Sequence, residues 1–234
     1  MLYKRILLKI SGEFLAGKDN IGINSEILKN IATQINSLSK DGLEIGIVVG
    51  GGNLVRGEQI AKVGVDRVAG DQMGMLATAI NGIALRDALE KNNVRVKLVS
   101  AVPINGMLES HNPRNVNRYL KEGEIVIFCG GTGNPYFTTD TASCLRAIEI
   151  KADVMLKGTK VDGIYSADPE TNSDCEKFNE ISYRKVIDMN LQVMDLTAIT
   201  MARDHNLPIR VFNITESNMI INIVKDLNQG TLIN

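Results

Sequence analysis

The sequence predicts an α/β fold, a three-layer sandwich of helices around a mainly parallel sheet. Three observations carry this. Short apolar runs alternate with longer stretches of helical periodicity along the chain, which is how repeated β-α-β units read. The apolar runs are nearly continuous in Val, Ile and Leu, as strands buried on both faces are. Glycine-rich turns fall where several of these runs end, and open α/β sheets hold their ligands beyond the carboxyl ends of the strands.

The elements follow in order. A strand is expected over 4–10 and a helix over 25–40, closed by Asp41-Gly42 ahead of a strand over 43–49. A long helix from about 71 to 92 ends at Asn92-Asn93, and a strand over 94–99 follows. Next come a helix over 115–120, a strand over 124–129, a helix over 141–151 and a strand over 152–156. Residues 158–182, with Pro169 and Asn172, are the least regular and read as a ligand loop plus a surface excursion. A helix over 195–205 closes at Asn206-Leu207-Pro208, before a strand over 209–212 and a helix over 218–227. Crossovers between parallel strands are expected to be right-handed.

Bulk properties narrow the function. A length of 234 residues suits one domain, and 44% hydrophobic residues supply a sizeable core. Twenty-six basic against 27 acidic residues give a net charge of -1. That balance argues against a nucleic-acid footprint but leaves room for a small anionic ligand. Cys129, Cys144 and Cys175 form no CxxC pair, so a zinc knuckle or redox motif is not expected. Cys129 and Cys144 read as buried reduced thiols. The apolar stretch near the start is short and broken by Lys9, unlike a signal peptide. No run approaches the roughly 20 apolar residues of a spanning helix. A cytoplasmic protein without a membrane or nucleic-acid partner is expected.

The most informative segment is Gly130-Gly131-Thr132-Gly133-Asn134-Pro135-Tyr136-Phe137-Thr138-Thr139-Asp140. It links a strand to a helix start, where free N–H groups and the dipole favour a phosphorylated ligand. Three other strand ends share its character: Lys9-Ile10-Ser11-Gly12, Gly50-Gly51-Gly52-Asn53 followed by Arg56, and Lys157-Gly158-Thr159-Lys160-Val161-Asp162-Gly163. There is no GxxxxGK[ST], completed GxGxxG, GxSxG or HExxH, which removes the P-loop, dinucleotide, hydrolase-elbow and zincin readings. His111 and His205 have no partner pattern and read as surface or helix-end residues. What remains is phosphoryl transfer by positioning, which needs cations and amides and little covalent help. Lys9, set among Leu7, Leu8 and Ile10, would bridge donor and acceptor phosphates. Arg56 suits a phosphate bidentately. Asp140 is either a helix cap or a site carboxylate.

These residues resemble the bacterial uridylate kinases, a branch of the amino-acid kinase family. The likeness runs nearly end to end, through residues 3–13, 49–57, 70–78, 131–140, 159–169 and 207–213. The Gly-Asp-Gln-Met-Gly-Met-Leu-Ala-Thr run from Gly70 and the Thr-Gly-Asn-Pro-Tyr-Phe-Thr-Thr-Asp run from Thr132 are its most specific parts. The resemblance implies the amino-acid kinase (carbamate kinase-like) fold in a single domain over 1–234. It implies a UMP lobe over about 1–150 and an ATP lobe over about 151–234. The implied reaction is reversible, Mg-dependent transfer from ATP to UMP in pyrimidine nucleotide synthesis.

The resemblance also distributes roles. Lys9 and Asp140 would be catalytic. Lys9, Ile10, Ser11, Gly12, Gly52, Arg56, Thr159, Tyr165 and Asp168 would meet ATP. Gly51, Asp71, Thr132, Gly133, Asn134, Pro135, Tyr136, Phe137, Thr138 and Thr139 would hold UMP, with Asp71 on the ribose. Mg would be carried by ATP, with no protein metal site. A homohexamer is implied, with GTP as activator and UTP as inhibitor, although residues 17–22 are less glycine-rich than the loop tied to that response. Two other readings stand beside this one. The first is a kinase of the same fold for a carboxylate, carbamate or isoprenoid phosphate. The second is a nucleotide sensor or storage protein on the same scaffold.

Overall fold

The computed structural model describes residues 2–19, 21–55, 64–167, 172 and 175–234. Its centre is β1 (Arg5–Ile10), whose last five residues are all buried. β1 pairs in parallel with β2 (Glu44–Val49) on one side and β6 (Val154–Thr159) on the other. Beyond β2 lie β5 (Ile125–Cys129), β3 (Val96–Ser100) and the two-residue β4 (Glu109–Ser110). Beyond β6 lie β10 (Ile209–Asn213), β11 (Thr231–Ile233) and β9 (Glu180–Ile181). Among the described residues the sheet has nine strands, and only the β10–β11 pair in it is antiparallel. β7 (Ile164–Tyr165) and β8 (Lys177–Phe178) form a separate antiparallel pair.

Helices cover both faces, as the apolar runs required. α2 (Ser25–Lys40) turns Leu28, Ile31, Ala32, Ile35 and Leu38 inward, a stripe of helical period. With α3 (Arg67–Glu90) and α8 (Met219–Lys225) it packs on Ile6, Leu8 and Ile10 of β1. The opposite face takes Leu7 and Met155 against α4 (Pro113–Lys121), α5 (Thr139–Glu149), α6 (Tyr183–Asp188) and α7 (Leu196–Asp204). Strand side chains alternate between faces. Lys9 therefore shares the face of Leu7, and Lys157 that of Met155, both on the side of α5.

Caps explain where the boundaries differ from expectation. α3 begins at Arg67 rather than near 71, because the Asp66 side chain accepts from Val68 N at 2.9 Å. α5 begins at Thr139 rather than 141, because the Thr138 hydroxyl accepts from Asp140 N at 3.0 Å. Asp140 is thus inside the first turn and is not the cap. β6 runs on to Thr159, which places Lys157 within the strand. The five-residue α1 (Gly12–Ala16), capped by Ser11, was not anticipated. Nor were α6, β11 and the two-residue strands.

Candidate functional site

Four parallel neighbours, in the order β5-β2-β1-β6, point their carboxyl ends to one edge of the sheet. The glycine-rich segments seen in the sequence therefore converge. They meet at backbone distance. A Cβ at Gly12 would lie 2.6 Å from Gly52 N and 2.5 Å from Asn53 Oδ1. One at Gly51 would lie 2.8 Å from Gly74 O of α3. Gly50 N donates to Ile10 O at 2.8 Å. A buried amide pair locks the turn: Asn53 Nδ2 donates to Asn81 Oδ1 at 3.0 Å, and Asn81 Nδ2 returns a bond to Asn53 Oδ1 at 2.7 Å. Asn81 also donates to Gly50 O at 2.7 Å.

The first cleft, about 330 Å³, is bordered by Gly51, Gly52, Asp71, Thr132, Asn134, Phe137, Thr138 and Thr139. Gly133, Pro135 and Tyr136 are not on its wall. Tyr136 takes a left-handed φ of 71°. Its N–H donates to Asp71 Oδ2 at 2.7 Å, and the Arg67 guanidinium lies 5.3 Å from its ring centre. Arg67 Nε also donates to Asp71 Oδ2 at 2.8 Å. Asp71 thus pins the loop around Tyr136 to α3, and its remaining lone pairs suit hydroxyl donors. Thr78 supports the same loop, accepting from Gly130 N at 2.8 Å.

The second cleft, about 630 Å³, has Lys157, Thr159, Tyr165, Val193 and Val211 on its wall. Tyr165 donates its hydroxyl to Asp162 Oδ1 at 2.7 Å. That bond, with some burial, pushes the Tyr165 hydroxyl up to about 12, so it stays a donor at neutral pH. Arg56 and Asp168 lie outside the described residues. Ile10 is fully buried in the core, Ser11 caps α1, and Gly12 packs on Gly52. What these three lend is backbone geometry between the clefts.

Between the clefts sit three charges. Lys9 and Lys157 are register neighbours on β1 and β6, and are only 8% and 7% exposed. Lys9 Nζ lies 3.0 Å from Asp140 Oδ1, and Lys157 Nζ lies 2.5 Å from Asp140 Oδ2. Lys157 Nζ also donates to Val193 O. Burial would push the Asp140 carboxyl up, but the two ammonium groups outweigh it and hold it below the usual range. Lys157 is lowered, chiefly by burial and further by Lys9, with Asp140 opposing. The trio carries two positive charges and one negative, an electropositive point that Lys157 shares with the second cleft while Thr139, next to Asp140, borders the first.

In the sequence, Lys157 reads only as part of a glycine-bearing strand end. Its signal was present: Leu7-Leu8-Lys9 and Met155-Leu156-Lys157 are the same apolar-apolar-lysine ending on two strands. Val193 O had no readable signal. His205 is exposed and caps the end of α7, as expected. His111 departs from expectation: it is half-buried, its Nε2 2.9 Å from Glu149 Oε2. Cys129 and Cys144 are free and buried, and burial pushes both thiols up to about 12. Among the described residues no three His, Cys, Asp or Glu side chains gather as a metal site, and no helix is long and apolar enough to cross a membrane.

Comparison with known proteins agrees with this fold. A sequence model of the amino acid kinase family matches residues 4–213. A uridylate kinase of Alcanivorax borkumensis is 54% identical over 231 residues, covering 99% of this chain and 92% of the relative. One from Psychromonas ingrahamii is 52% identical, covering 99% and 93%. The crystal structure of UMP kinase from Bacillus anthracis superposes with a TM-score of 0.97 at 40% identity, over 100% of this chain and 97% of that one. Uridylate kinase from Archaeoglobus fulgidus reaches 0.76 at 27% identity, over 98% and 99%.

Proposed function

The chain belongs to the amino acid kinase family, and on that premise we propose that it transfers the γ-phosphoryl group of ATP to UMP, giving ADP and UDP. The observation that carries this reading is the Lys9–Asp140–Lys157 trio between two clefts. An oxygen of the UMP phosphate attacks the γ-phosphorus in line. A new P–O bond forms, and the bond to the oxygen bridging the β- and γ-phosphorus atoms breaks, leaving ADP. The attacking oxygen is already anionic near neutral pH, since such phosphates have a second pKa of about 6. No general base is needed, and Asp140, held ionised by two lysines, orients their ammonium groups. Lys9 and Lys157 meet the charge on the moving group.

UMP takes the first cleft, with Asp71 toward the ribose and Thr132 and Asn134 toward uracil, whose carbonyls and N–H suit neutral donors and acceptors. ATP takes the second, with Tyr165 and Thr159 about the adenosine. The walls support the two-lobe division, because first-cleft residues all precede position 150 and second-cleft residues begin at Lys157. Both Asp140 oxygens face lysines, so Mg²⁺ would ride on the ATP phosphates with water completing its shell. Cytoplasmic pyrimidine nucleotide synthesis, a homohexamer, activation by GTP and inhibition by UTP complete the proposal. Met73, Leu76 and Ile80 give α3 an exposed apolar stripe suited to self-association.

The test is ADP formation from Mg-ATP with UMP, CMP, carbamate or aspartate, and with GTP or UTP added to the UMP arm. UMP should be the preferred acceptor. Turnover confined to CMP or to a non-nucleotide would overturn the assignment.

A further inference from the structure

We infer that Asp195 is a positioning residue that couples the two clefts, an inference that rests on the nucleotide reading above. Its carboxylate does three things at once. Oδ1 caps α7, accepting from Ala198 N at 3.0 Å. The same oxygen accepts the Thr141 hydroxyl at 2.8 Å. Oδ2 accepts the Thr138 hydroxyl at 2.5 Å, a short charge-assisted bond.

That last bond fixes a rotor. A threonine hydroxyl has one proton and two lone pairs. With the proton committed to Asp195, the Thr138 oxygen turns its lone pairs to Asp140 N at 3.0 Å and Thr141 N at 3.4 Å. Asp195 thereby sets the first turn of α5. Thr138 and Thr139 of that turn border the first cleft, and Asp140 stands between the two lysines.

On its other side, Asp195 closes the segment that walls the second cleft. Met189, Asn190, Leu191, Gln192 and Val193 all border that cleft, and Val193 O holds Lys157. A nucleotide pressing on this wall acts on a segment tied to Asp195, and through the threonine hydroxyls on the turn that presents Asp140. Sites joined in this way carry a coupling free energy that is the same in both directions. A plain helix cap would explain the Ala198 bond alone.

The test separates cap from coupling. Serine caps helices well but is too short to hold both threonines. UMP and a non-hydrolysable ATP analogue are titrated singly and together into the wild type and Asp195→Ser. In the wild type, each should change the affinity of the other by about fivefold or more. In Asp195→Ser the factor should fall to within about twofold of unity, and Thr138→Val should act likewise. Rate losses of Asp195→Ser and Thr138→Val should not multiply in the double variant. A wild-type factor near unity, a factor that survives Asp195→Ser, or multiplying losses would overturn the inference while leaving the kinase reading intact. If Asp195→Ser fails to fold, Thr138→Val and Thr141→Val decide the same question. Failure of the wild type to bind either nucleotide would instead bring down the substrate assignment, and this inference with it.

Discussion

Replacing Lys157 by methionine removes one positive charge and keeps most of the side-chain volume. Lys9, Asp140 and Lys157 together carry one net positive charge, and without Lys157 the remaining pair is neutral. A unit charge about 4 Å from the moving phosphoryl group is worth ~4 kcal/mol at the effective dielectric of such sites. Each 1.36 kcal/mol is a factor of ten in rate, so the ceiling is about a thousandfold. The open clefts admit water, so a loss of about a hundredfold to a thousandfold in kcat is expected. The KM for UMP should move by less than about threefold, because that cleft is built from residues before position 150. Asp140 keeps Lys9 at 3.0 Å, so the fold should escape the ~3–5 kcal/mol cost of stranding a buried charge. The assay is coupled ADP release at saturating ATP and UMP, with a thermal melt as control. A native melt with kcat within about threefold of the wild type would show that Lys157 serves only to neutralise Asp140.

Three further outcomes follow from the same geometry. Gly12→Ala should lower stability by about 1–3 kcal/mol, because its Cβ would strike backbone and a locked amide. At about 2–4 °C per kcal/mol for this size, the melt should drop clearly and the KM for UMP should rise; an unchanged melt would contradict the packing. For pH, Asp140 has a folded pKa below its unfolded value of about 3.9. Its contribution to stability is therefore present above that value and lost as pH falls through the lower, folded one. No acid limb in kcat at saturating UMP should trace to Asp140 above about pH 5, whereas kcat/KM should fall near pH ~6 as the substrate phosphate takes a proton. A tenfold loss of saturated kcat between pH 7 and 5 would refute this. Lys157, lowered chiefly by burial, should bring on an alkaline limb earlier than the ordinary lysine value of about 10.4.

Much of this was readable from the chain. The six expected strands sit within a few residues of β1, β2, β3, β5, β6 and β10, because two-sided burial writes long apolar runs. The elements that escaped are short: β4, β7, β8 and β9 have two residues each, β11 three, α1 five and α6 six, too few for any period to show. At the site, Lys9, Asp140 and the two threonine-bearing turns were legible because glycine and polar residues punctuate strand ends, whereas Asp71, inside α3, was marked only by the family resemblance. The Asn53–Asn81 clamp was not, since its members lie 28 residues apart and either asparagine alone reads as a turn or helix-surface residue. In the sequence Asp195 is only the first residue of an expected helix, and tertiary contact with Thr138, 57 residues away, reveals its further task.

The central position of β1 bears on how the protein is made. Its partner β2 leaves the ribosome soon after it, but Lys9 waits 148 positions for Lys157. At about 5–20 residues per second, that delay is roughly 7–30 s. Throughout it, a strand whose last five residues are buried in the finished fold offers a bare hydrogen-bonding flank, the kind of template that recruits misfolded neighbours. Translation that stalls before β6 should therefore yield a sticky fragment rather than a half-working enzyme.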